Sequence, residues 1–240
     1  MSRLATLIYW YLRFSHLWSM IIIMFYMFLL VSSIYKPYIF MLQGQSMYRL
    51  LWLRFSMYDY MLIFFAVLFT TAMLFSYERE QGYEYILFTS RYRVISVFIS
   101  KIAVTLILVI TPYVLAKFVA IIFSDPVIVM TKLLSLLSLL AYFCFYQIIY
   151  VLWISGFILL GSIGIGRLGY VIIAYTMYFI LFEGPLNVGN SFLKLFRLHV
   201  MLYNMSDLGG IISNNFHLLL TSILLYIISY VIYVKREVRI

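Results

Sequence analysis

The residues best able to do chemistry lie in one block, residues 76–101, SYEREQGYEYILFTSRYRVISVFISK. Glu78, Glu80 and Glu84 come first, with Arg79 among them; Arg91, Arg93 and Lys101 follow. The chemistry on offer is polar contact with a neighbouring surface. Acids at the C-terminal end of a helix oppose its dipole. The spacing therefore predicts a chain break near Ser76, with Ser76 capping a new short helix over about 76–90 and Glu78 and Glu80 in its favourable first turn. Tyr83, Ile86 and Leu87 would give that helix an apolar face.

A second charged candidate is Lys117, which falls within an apolar run. A charge at the centre of a bilayer costs about 2.5–3.5 kcal/mol on insertion scales. Two readings are open: the lysine stem reaches the outer interface, or the ammonium meets an acid at similar depth. Asp59 and Glu183 are the candidate acids. Glu183 is favoured, because Gly184-Pro185 just after it would break the helix and leave room for a charged head.

No catalytic constellation is present. His16, His199 and His217 are scattered, and the single Cys144 excludes an internal disulfide and makes a metal site improbable. Gly164-Ile165-Gly166-Arg167-Leu168-Gly169 spells G-x-G-x-x-G. A dinucleotide site would need a strand before it and a helix after it; here apolar runs flank it, so a tight glycine turn is expected. No ATP-binding signature occurs. The chain is expected to be neither an enzyme nor a holder of a cofactor.

The elements that must position these residues follow from composition. Of 240 residues, 66% are apolar and only 10% charged, with a mean hydropathy of +1.06. Soluble domains carry about a quarter charged residues. The expectation is an all-α polytopic membrane protein, residues 1–240 forming one transmembrane domain. Spans are placed at about 17–35, 57–77, 101–123, 133–160, 168–184 and 216–234, each near the ~20 residues a crossing helix needs. Residues 1–17 read as an interfacial amphipathic helix, with Leu4, Leu7, Ile8, Tyr11 and Leu12 on one face. No A-x-A-like cleavage site lies near 31–34, so this start is read as a retained anchor.

Six spans put both termini on one side. With the termini inside, ten bases are inside: Arg3, Arg13, Arg79, Arg91, Arg93, Lys101, Arg167, Lys235, Arg236 and Arg239. Six are outside: Lys36, Arg49, Arg54, Lys132, Lys194 and Arg197. The bias favours cytoplasmic termini in a multi-pass cell-membrane protein, and it accounts for the net charge of +9 without nucleic acid as a partner. Residues 185–215 form the longest outer loop, with a short helix expected before the last span. Asn204-Met205-Ser206 in that loop is a glycosylation sequon.

The charged block resembles the membrane subunits of type 2 ABC (ABC-2) exporters. Their pattern is E-R-E-x-G, an apolar helical turn, T-P, a basic cluster, then G-K opening the third span. Glu78-Arg79-Glu80-Gln81-Gly82, 83–88, Thr89-Ser90, Arg91 with Arg93, and Ser100-Lys101 match it. Ser90 stands where the family prefers Pro, and Ser100 where it prefers Gly. The resemblance implies a permease subunit with a short cytoplasmic coupling helix between spans 2 and 3. It implies ATPase-coupling roles for Glu78, Arg79, Glu80, Gly82, Glu84, Arg91 and Arg93. It also implies a separate ATP-binding subunit that holds ATP and Mg, and a second permease copy or homologue as homo- or heterodimer partner. The rival readings are an ATP-independent channel or secondary carrier, and a membrane anchor for another complex. Carriers often show internal repeats or broken helices with buried charge; no convincing repeat is evident, and Lys117 is the one charge placed within a span.

Overall fold

The computed structural model describes residues 3–12, 15–34, 59–82, 92–124, 133–183 and 208–237. All the regular structure among them is helical. The elements are α1 (Arg3–Leu12), α2 (Ser15–Ile34), α3 (Asp59–Ala72), a π turn (Met73–Tyr77), α4 (Glu78–Glu80), α5 (Val94–Ser124), α6 (Leu133–Ile165) and α7 (Leu168–Tyr178). A second π turn (Phe179–Glu183) and α8 (Leu208–Glu237) complete the series. Among the described residues, four helices are long and apolar enough to cross a membrane, over Tyr60–Glu80, Val94–Val119, Gln147–Ile165 and Leu218–Arg236. Two shorter apolar helices accompany them, Ile21–Leu30 and Leu168–Glu183.

The helices pack around two apolar cores. One joins Phe28, Phe64, Val67, Tyr113, Tyr150 and Phe179; the other joins Leu7, Tyr11, Phe75, Phe98, Leu159 and Tyr233. The outward faces are apolar too: Ile22 and Tyr26 on α2, Ile173 and Met177 on α7, Ile223, Ile227 and Val231 on α8 are all exposed. Apolar side chains both inside and outside are the pattern of a bundle solvated by lipid. Within such a solvent, helices associate through close packing and interhelical hydrogen bonds. Gly156 illustrates the first: a Cβ there would sit 3.3 Å from Leu225 Cβ, so α6 and α8 approach closely. Ser155 and Tyr226 illustrate the second, their hydroxyls 2.5 Å apart between the same two helices.

One end of the bundle collects the end of α4, the start of α5, the end of α6, the start of α7 and the end of α8. Tyr11 of α1 reaches the same end, where its hydroxyl donates to Glu78. α1 buries Leu7 and Tyr11 and exposes Tyr9 and Trp10, which is the sidedness its spacing predicts.

Several boundaries differ from expectation. The chain does not break at Ser76: Ala72, Tyr77 and Glu78 all have right-handed helical backbone, and the π turn carries α3 directly into α4. Ser76 caps nothing; it is buried, and its hydroxyl donates to Ser162 O at 3.4 Å. The third apolar helix begins at Val94, not at 101, because Val94, Ile95, Val97, Phe98 and Ile99 are themselves helical and apolar. α8 begins at Leu208, within the stretch expected to be outer loop, and α6 runs on to Ile165. The body of the proposed coupling helix at 83–91, the outer loop at 184–207 and Asn204 lie outside the described residues.

Candidate functional site

The charged block folds onto itself at the shared end of the bundle. Lys101 lies two helical turns inside α5 and is fully buried, 0% exposed. Its Nζ is 3.1 Å from Glu78 Oε2, and the Glu78 side chain is 13% exposed. Tyr11 donates its hydroxyl to the same Oε2 at 3.4 Å. The ammonium also lies over two rings, 4.9 Å from the Phe75 centroid and 5.9 Å from that of Tyr233. Phe98, one turn before Lys101, packs on both rings at 5.8 and 5.6 Å. A buried cation is tolerated when it is paired and its field is met by ring faces. This one ties α1, α3 with its π turn and α4, α5 and α8 together.

Glu80 does different work. Its Oε1 accepts from Leu168 N at 2.8 Å. Leu168 opens α7, and its N-cap, Arg167, makes no side-chain cap. The carboxylate therefore supplies a cap from another helix, where the positive end of the α7 dipole favours an anion. The acids that oppose the dipole of their own helix are thus answered, Glu78 by a lysine and Glu80 by a neighbouring helix start.

The turn between α6 and α7 is the glycine turn expected of G-x-G-x-x-G. Gly166 has φ +72°, a conformation that disfavours side chains. Arg236 donates to Ile163 O at the carbonyl end of α6. Gly82, at φ +71°, follows α4, and Gln81 and Gly82 are exposed. Arg93 is exposed at the foot of α5, where its carbonyl accepts from Ser96 N and Val97 N. Arg79 is half-buried beside the Gly166 turn. Glu84 and Arg91 lie outside the described residues.

Sequence reasoning counted Lys101 among the cytoplasmic bases and missed its burial and its pairing with Glu78. The signal was available in the five apolar residues among the seven before Lys101. Lys117 is accordingly not the one charge within a span.

At the far end, Lys117 is 2% exposed and its Nζ lies 5.2 Å from the Tyr113 ring centroid. Glu183 accepts from Tyr178 at 3.1 Å. Pairing of Lys117 with Glu183 remains a proposal motivated by this burial. If it holds, Lys117→Met and Glu183→Gln each lower the melting temperature in detergent, and the double variant recovers part of the loss. Strictly additive losses would refute the pair.

Among the described residues no group of three or more His, Cys, Asp or Glu could hold a metal ion. Fold and site together define an all-α, polytopic membrane-type bundle with a buried ion-pair network at one end. Compared with protein-family models, curated proteins and solved structures, the chain shows no match.

Proposed function

We propose that the chain is the membrane-spanning permease subunit of an ABC-type exporter, driven by ATP hydrolysis in a separate subunit. The observation that carries this reading is the Glu78–Lys101 pair. It fastens together the two described ends of the motif-bearing block, the end of α4 and the start of α5. A lever rooted there can pass the closure of an ATPase pair to the helices behind it. Gln81, Gly82 and Arg93 are exposed for contact. In this reading the network end and both termini face the cytoplasm, and a second permease copy or homologue completes the pathway.

Cysteine at Gln81, in a Cys144→Ser background, tests orientation and docking together. An impermeant thiol reagent should label it only in opened membranes, and a bound ATPase should shield it. Labelling in intact cells would reverse the orientation. Glu80→Gln keeps an acceptor for Leu168 N while removing the charge; combined with Glu84→Gln it should reduce recovery of the ATP-binding partner at least severalfold. Unchanged partner recovery and unchanged ATP-dependent export would sink the docking role.

A second reading, an ATP-independent carrier, draws on two buried lysines, two π turns and Gln147, whose buried amide lacks a hydrogen-bond partner among the described residues. Carriers place buried polar groups and interrupted helices along their pathway. Export that persists with no ATP-binding protein co-purifying would favour it.

A further inference from the structure

We propose that the turn between α6 and α7 is a phosphate-binding site, gripped by Arg79 and Arg236. The point a Cβ on Gly166 would occupy lies 3.4 Å from Arg236 Nη1 and 3.5 Å from Arg79 Nη1. Two guanidinium groups thus converge on one residue that has no side chain. Like charges converging on one point repel, and an anion between them would offset that repulsion.

The two arginines are not equally committed. Arg236 is held by Ile163 O, at the end of α6 whose dipole favours a cation. The Arg79 guanidinium has no hydrogen bond or ion pair among the described residues. The neighbouring described carboxylates are engaged elsewhere, Glu78 on Lys101 and Glu80 on Leu168 N. Arg167, exposed and 5.8 Å from the Tyr170 ring centroid, adds a third positive charge at the rim. The planar fork of arginine matches the oxygens of a phosphate, and two forks meeting at a gap suit one phosphate group.

The level of the turn points to the source. The apolar spans end at Glu80, Ile165 and Arg236, each within one residue of Arg79, Gly166 or Arg236. That is where lipid headgroups lie. A basic recess between helix ends at this depth suits the phosphate of an anionic lipid. The site needs no ATPase and stands whether or not the coupling reading does.

The test uses the full purified chain alone. In one arm, inorganic phosphate is titrated into delipidated protein in detergent, and the melting temperature is followed. In the other, nanodiscs of phosphatidylcholine are compared with nanodiscs containing phosphatidylglycerol, with native mass spectrometry reporting retained lipid. The anionic discs should stabilise the wild type and leave lipid bound. Arg79→Gln, which breaks no described contact, should weaken retention about fivefold, the effect of removing one base at a membrane surface. Arg79→Lys keeps the charge without the fork and should fall between. A response to inorganic phosphate alone, lost in Arg79→Gln, supports the site with a soluble phosphate group as its ligand. Equal responses of wild type and Arg79→Gln in both arms overturn it.

Discussion

Glu78→Met is expected to lower the stability of the folded chain by about 3–5 kcal/mol, the usual cost of removing one member of a buried ion pair. The reason is the position of Lys101, fully buried with its ammonium over Phe75 and Tyr233, rings that Phe98 packs against. Without the carboxylate its charge keeps ring faces, which are worth only ~2 kcal/mol even when desolvated. Lys101→Met should cost less, because Glu78 is partly exposed and still accepts from Tyr11. The double variant should recover most of the loss, since two apolar side chains fit an apolar box. Unfolding in detergent, followed by the folded fraction surviving a temperature ramp, gives the cycle. A Glu78→Met variant as stable as wild type would mean that the pair does not hold this end together.

Gly161→Ala should be strongly destabilising for a one-methyl change, at about 1–3 kcal/mol for overpacking. Its Cβ would lie 2.7 Å from Tyr175 Cε2 and 2.8 Å from Cζ. The ring has little freedom to retreat. It is edge-on to Phe157 at 5.4 Å, and its hydroxyl donates to Phe157 O at 2.8 Å. The insertion therefore pushes α7 away from α6 and loosens the Gly166 turn. Gly164→Ala is the control, since nothing lies within 4 Å of its Cβ position. Tyr175→Leu should destabilise alone yet suppress Gly161→Ala when combined with it. Melting temperatures of the four chains decide the matter; equal tolerance of alanine at 161 and 164 would refute the close packing.

Much of this bundle was legible as composition. Apolar runs at membrane length mark where the helices lie, and the packed face of α1 follows from the spacing of Leu7 and Tyr11. The glycine turn at 164–169 was legible because flanking apolar runs exclude the strand that a nucleotide loop needs. The charged block was visible as a block, but not as a pair. Which base meets which acid across more than twenty residues depends on how α3 and α5 cross, and no local pattern encodes that. Ser76 was misread because a hydroxyl before two acids resembles a helix start, whereas tertiary packing lets the helix run on and aims the hydroxyl at Ser162 O. Glu80 as a cap for α7 was hidden for the same reason: donor and acceptor belong to different helices. Glu84 and Arg91, proposed for coupling, and the sequon at Asn204 lie outside the described residues.

The π turn at Met73–Tyr77 acts as a change of gear. An α-helix advances about 100° per residue. A π turn takes one extra residue to complete its circuit. Every side chain beyond it is therefore set back by one position on the helical wheel. Glu78 occupies the azimuth that an uninterrupted helix would give to residue 77. The helix has traded one residue of length for rotation, and that rotation is what points a carboxylate, rather than a tyrosine, at Lys101.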